Sequence, residues 1–149
     1  MKIAIALFTA SLIAALAAQA PRIKPGQYEV VSQFAMPGGR QTGAPPRKDL
    51  KCYTEKDVQT IERIIAQRDT AQGNCHVVSS KVTGSTLTFT TECASPDGRG
   101  GMTMNGKVDF LTSESYHAVV DMKMGGERGE SGFGGTTITM NAKRIGDCK

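Results

Sequence analysis

The chain has 149 residues, with 18 Lys and Arg against 14 Asp and Glu, a formal net charge of +4 and no tryptophan. That length holds one domain with a real core, small enough for crosslinks to matter. The bases are scattered, and the one short run, Arg47, Lys48 and Lys51, sits beside prolines without interleaved aromatics, so nucleic-acid binding is set aside.

Residues 1–20 carry one charge, Lys2, then an apolar stretch from Ile3 to Ala17 and the small-residue end Ala18-Gln19-Ala20. This is the pattern of a signal peptide. A membrane anchor would need roughly twenty apolar residues and a charged stop, so the expected product is a single exported domain over 21–149, periplasmic or secreted, with no transmembrane segment. Cleavage after Ala20 leaves Pro21 next, whereas cleavage after Ala17 uses Ala15 and Ala17; the first has the better small-residue pair. No cysteine near either position suggests a lipid anchor.

From Gln27 to Met36 the chain alternates, with Tyr28, Val30, Ser32, Phe34 and Met36 on one face, which predicts a half-buried strand. Pro37 to Pro46, with three glycines and three prolines, reads as a surface loop, and Arg47, Lys48 and Lys51 are assigned to it. Thr54 can cap a helix, with Asp57 completing a capping box, and Val58, Ile61, Ile64 and Ile65 form an apolar stripe. One helix over Glu55 to Arg68 follows, with Gly73 just beyond it.

Beyond His76 the period becomes two. A II′ turn at Gly84-Ser85 sets Val78 and Val82 on the same face as Leu87, Phe89 and Cys93, and leaves Ser79, Lys81, Thr88 and Thr90 to water. After a Gly-rich loop from Ser95 to Gly101 come two strands, Met102 to Leu111 and Ser115 to Met124. Placing Phe110 opposite Tyr116 aligns Val108 with Ala118, Gly106 with Val120, Met104 with Met122 and Met102 with Met124, so that one face is wholly apolar. A turn at Asn105-Gly106 would set Met104 against Lys107, so Gly106 is read as a bulge or a close approach. The glycine-rich segment Gly125 to Gly135 lacks the Lys-Ser/Thr ending of a phosphate loop and reads as a hairpin loop. The last strand, Thr136 to Ile145, turns Ile138, Met140 and Ala142 inward.

Six strands, each apolar on one face, plus one amphipathic helix predict a mainly β, α+β fold. The arrangement expected is a curled antiparallel meander or partial barrel with the helix against its concave side or open end. Such a sheet leaves room for an apolar cavity.

Cys52, Cys75, Cys93 and Cys148 all lie in the exported part, with spacings of 23, 18 and 55 that no C-x-x-C zinc motif shares, so two disulfides are expected. Of three possible pairings, Cys75 to Cys93 with Cys52 to Cys148 is preferred, because a hairpin brings Cys75 and Cys93 together locally. The turn itself sets Cys93 opposite His76, so that bridge needs a one-residue bulge or a frayed end.

Several residue groups also bring a family into view. Pro25-Gly26-Gln27-Tyr28-Glu29 resembles a "PGLWE" opening, Cys52-Tyr53-Thr54-Glu55-Lys56-Asp57 a "CLTPED" step, and Arg144-Ile145-Gly146-Asp147-Cys148 an "RxGxC" ending. In this order they resemble the bacterial Domain of Unknown Function 3617 family over nearly the whole exported part. The departures are Gln27 and Tyr28 for Leu-Trp, and Lys56 for Glu. The resemblance implies export, β structure and no established activity, and it carries over no catalytic residue.

Chemistry is sparse. His76 and His117 are the near-neutral bases, one beside a cysteine expected to be oxidised and the other alternating with the apolar face. Asp109 and Asp121 have Lys107 and Lys123 beside them, as cross-strand charge pairs do. Met102, Met104, Met122, Met124 and Met140 share a face, and soft thioethers select Cu(I). They also continue the face of Val108, Phe110 and Val120, so core packing is the preferred account and no cofactor is expected. The expectation is a non-enzymatic binding or carrier module for a small apolar ligand or an envelope protein; a structural envelope protein and a Met-based Cu(I) binder are the alternatives.

Overall fold

The computed structural model describes residues 22–36, 44–66, 75–94, 101–125 and 135–149. Residues 1–20, expected to be a signal peptide, the expected helix end at Arg68, Gly73 and most of the three glycine-rich loops lie outside these residues. The strands are β1 (Gly26–Ala35), β2 (Arg47–Tyr53), β3 (Cys75–Thr83), β4 (Thr86–Ala94), β5 (Gly101–Thr112), β6 (Ser115–Gly125) and β7 (Thr136–Gly146). They form one unclosed antiparallel sheet in the order β2-β1-β7-β6-β5-β4-β3. Two short helices, α1 (Glu55–Val58) and α2 (Ile61–Ala66), lie between β2 at one edge and β3 at the other. The path from β2 to β3 therefore crosses the apolar face.

Sheet curl is visible in the tyrosines. Tyr53 on β2 and Tyr116 on β6 are three strands apart in the sheet order, yet their hydroxyls are 2.9 Å apart. At a spacing of about 4.8 Å per strand, the side chains meet above β1 and β7 because the sheet bends toward them. Tyr28, on β1 between them, packs edge-on to Tyr53 with ring centroids 5.3 Å apart. Its hydroxyl donates to the Lys24 carbonyl at 2.8 Å, so the buried phenol keeps a partner. Residues 22–25 close this end: Ile23 is buried, and the Lys24 N–H donates to the Ser113 carbonyl at 2.7 Å.

The β5–β6 register is the one the apolar pattern requires, from Phe110 opposite Tyr116 to Met102 opposite Met124. Gly106 is a close approach and no bulge. It pairs with Phe89, and a Cβ built on it would lie 2.1 Å from the Phe89 ring. Thr54 caps α1, its hydroxyl accepting from the Asp57 N–H, while the Asp57 carboxylate accepts from the Thr54 N–H at 2.8 Å.

Four expectations need correction. First, Arg47 to Tyr53 is β2, an edge strand and no part of the loop, which brings the strands among the described residues to seven. Its pattern is inverted: register places Arg47, Asp49 and Lys51 on the inner face with Ser32, Val30 and Tyr28, while Leu50 faces out and is 61% exposed. No apolar period marks such a strand, and charges of this kind on an edge discourage pairing with another sheet.

Second, the helix is broken. A Thr60 N–H to Asp57 carbonyl bond tightens the ladder before Ile64 N–H to Thr60 carbonyl resumes it. Val58, Ile61 and Ile65 are nevertheless buried as the stripe requires. Third, Val78 faces water at 53% exposure, because the β3–β4 register shifts between Val77 and Ser79. The bulge passes the inward role to Val77 and brings Cys75 opposite Cys93. Fourth, the carboxylates expected in cross-strand lysine pairs bond differently. Lys107 reaches Asp109 along its own strand at 2.9 Å, and Asp121 accepts from Thr137.

The disulfides are Cys75–Cys93, joining β3 to β4, and Cys52–Cys148, joining β2 to the segment after β7. Each fully buried large apolar side chain contributes about 1.5 to 3 kcal/mol. The most buried ones, among them Ile23, Tyr28, Leu87, Val108 and Tyr116, lie at the closed end and middle of the sheet. Stability is therefore concentrated away from the other end, where Met122 and Ile138 are only partly covered.

Candidate binding pocket

At the opposite end from Ile23 the apolar face is uncovered, and a pocket of about 260 Å³ opens there. Its floor is the sheet itself: Phe89 on β4, Met104 on β5, Val120 and Met122 on β6, and Ile138 and Met140 on β7. Period-two alternation puts these residues side by side, with Met104 paired to Met122 and Val120 to Ile138. Ile65 and Ala66 of α2 line its helical side. That side is anchored by Thr91, which is wholly buried and donates its hydroxyl to the Ala66 carbonyl at 3.0 Å. The bond satisfies a helix-terminal acceptor inside the core and fixes α2 over the pocket.

The remaining wall differs in kind. Ser32 and Phe34 of β1 and Arg47, Asp49 and Lys51 of β2 line it, with Ser32 directly opposite Arg47. Arg47 Nε contacts both carboxylate oxygens of Asp49, at 3.2 and 3.1 Å. Lys51 belongs to none of the ion pairs among the described residues. The pocket therefore has an apolar wall from β4 to β7 and a polar wall on β1 and β2 with one surplus positive charge.

A second hollow of about 400 Å³ lies at the β3 edge of the sheet, between α2 and β3, lined by Thr60, Glu62, Arg63, Ala66, Val77 and Ser80. It is more open than the first, and the sheet contributes to it through Val77 and Ser80 of β3. The first pocket, the less open of the two, is the better site, since bound apolar surface must be removed from water.

The methionines divide between core and pocket. Met104 and Met140 are buried, Met102 and Met122 are partly buried, and Met124, at the outer end of β6, is 65% exposed. Met104, Met122 and Met140 line the pocket. His117 lies on the other face of the sheet, with Nδ1 2.9 Å from Asn141 Oδ1. His76 lies across from Glu92 at the β3–β4 edge. Neither histidine lines the pocket. Among the described residues no group of three or more His, Cys, Asp and Glu side chains is placed to hold a metal, and no helix is long and apolar enough to cross a membrane.

Sequence reasoning located the apolar floor through its registers but missed the polar wall and Thr91. The inverted pattern of β2 hid the first. An inward threonine between Phe89 and Cys93 was the available signal for the second.

The three short motifs meet at the end away from the pocket. Arg144 Nε donates to the Pro25 carbonyl at 2.8 Å, Gly26 lies against Arg144 and Gly146, and Cys148 is bonded to Cys52. Their joint role is to clasp the closed end. A family model described as "Protein of unknown function (DUF3617)" matches residues 23–148. No curated protein and no solved structure matches the chain.

Proposed function

Given that the chain belongs to the DUF3617 family of unknown function, we propose that it is an exported, non-catalytic binding module that takes a small apolar ligand in the pocket at the open end of the sheet. One observation carries the reading: Met122 and Ile138, only partly buried, extend the core face of Met104, Val120 and Met140 toward solvent at the pocket. A surface of this kind gains about 25 cal/mol for each Å² of apolar area a ligand covers. Catalysis draws no support from the same wall. Its ionisable side chains are Arg47, Asp49 and Lys51, with Arg47 and Asp49 already paired, and no nucleophile and base stand together there.

Export rests on the signal-peptide pattern of residues 1–20 and on cysteines that are bonded in pairs. Cell fractionation with N-terminal sequencing tests it: a periplasmic or secreted chain beginning at Pro21 is expected, and a cytoplasmic chain retaining Met1 contradicts it. For the ligand, the test is thermal unfolding before and after solvent delipidation of protein purified without detergent. A fall in melting temperature, restored by the extracted apolar fraction, is the expected result. An unchanged melting curve with nothing extracted contradicts it.

A further inference from the structure

The two walls of the pocket point to the class of ligand, an inference that rests on the binding reading above. Ser32 is the cross-strand neighbour of Met140, and beyond it on β2 lie Arg47, Asp49 and Lys51, whose charges add to a single positive one. Asp49 already contacts Arg47 through both oxygens, so Lys51 supplies the uncompensated charge. The geometry points to a single-chain amphiphile with one anionic headgroup, a medium-length alkyl carboxylate, its chain along the methionine wall and its carboxylate on Lys51 and Arg47.

Size and charge both limit the choice. About 260 Å³ falls just below the roughly 300–1,000 Å³ typical of small-molecule pockets, which leaves no room for a two-chain lipid. A cationic head would meet Lys51 and Arg47 with only Asp49 in its favour. A neutral head would leave the ammonium with water alone. Inward-turned charges on an edge strand also guard it against pairing with another sheet, but that role asks for no excess of one sign, whereas this wall carries one more base than acid. Here register turns Arg47, Asp49 and Lys51 inward and leaves Leu50 outside.

Equilibrium dialysis of full exported protein against decanoate, decyltrimethylammonium and decanol, which share one chain and differ in head charge, tests the inference. Decanoate should saturate one site at least about fivefold tighter than decanol, as a partly exposed charge-assisted contact allows, with the cation weakest. Lys51→Gln should narrow the gap between decanoate and decanol by weakening decanoate, since Arg47 alone then faces the carboxylate. Asp49→Asn should widen the gap, a gain that a misfolded variant cannot produce. Raising the salt should narrow it. Equal binding of all three probes, or a preference for the cation, overturns the headgroup assignment and leaves the apolar pocket standing. Saturable binding of none of them overturns the binding reading itself.

Discussion

Gly26 and Arg144 occupy one space: a Cβ on Gly26 would lie 2.5 Å from Arg144 Nε and 2.5 Å from the Gly146 carbonyl oxygen. The first strand and the last are clasped there, with Arg144 also bonded to the Pro25 carbonyl and to Asp147. Gly26 has φ +142°, which disfavours any side chain. Gly26→Ala should therefore cost about 2 to 3 kcal/mol in urea unfolding. Gly84→Ala is the control, since Gly84 has φ +58° with nothing within 4 Å of the new Cβ; about 1 kcal/mol is expected. Equal costs would mean that the clasp contributes nothing beyond backbone strain.

Phe89 fills the place a side chain on Gly106 would take. Phe89→Ala should cost about 3 to 5 kcal/mol as a large truncation, and Gly106→Ala about 1 to 3 kcal/mol by overpacking. Thr88→Ala, on the opposite face, should stay within about 0.5 kcal/mol. The double variant should cost less than its parts combined, because the alanine methyl at 106 enters space the ring has vacated. Strict additivity in denaturant melts would separate the two residues.

The disulfides close loops of very different size, with sequence separations of 96 for Cys52–Cys148 and 18 for Cys75–Cys93. Chain-entropy arguments assign about 4.7 and about 3 kcal/mol to them, as upper guides. Replacing Cys52 and Cys148 by Ser should therefore lower the melting temperature more than replacing Cys75 and Cys93. Calorimetry of the two double variants checks the order, and peptide mapping without reductant checks the pairing.

Burial pushes the Tyr28 phenol up from 10.0 to about 12, with Arg144 pulling the other way. The folded state thus holds the proton more tightly than the unfolded chain does. This contribution to stability is complete below pH 10.0 and is lost as pH rises through about 12. Tyr28→Phe keeps the ring, removes the bond to the Lys24 carbonyl at a cost of about 1 to 2 kcal/mol at neutral pH, and should flatten the alkaline fall. Urea midpoints measured across that range decide it; an unchanged alkaline slope would place the lability in another group.

Legibility in the sequence followed the strength of apolar alternation. The faces of β1, β4, β5, β6 and β7 could be read because Tyr28, Phe89, Val108, Tyr116 and Met140 each mark an inward position two residues from the next. Gly106 was readable as a bulge or a close approach, because any turn there would have broken the facing of Met104, and the register decided for the close approach. Arg47 to Tyr53 was not readable, since its inward side chains are charged and only Tyr53 is buried. The shift at Val78 could be inferred only from the need to join Cys75 to Cys93, and its consequence for Val77 and Val78 emerged only with the full register. The pocket's apolar wall was thus implicit in the sequence, whereas its polar wall depended on tertiary pairing with β1.

Native mass spectrometry of the protein, purified without detergent and compared with a Met122→Trp variant whose larger side chain fills the pocket, tests the central claim most directly. Wild type should carry a small apolar molecule that is released on denaturation, and the variant should fold but carry none. Wild type at its bare polypeptide mass that takes up no added alkyl ligand, or a variant that retains the molecule as fully as wild type, would contradict the assignment of this pocket as a binding site.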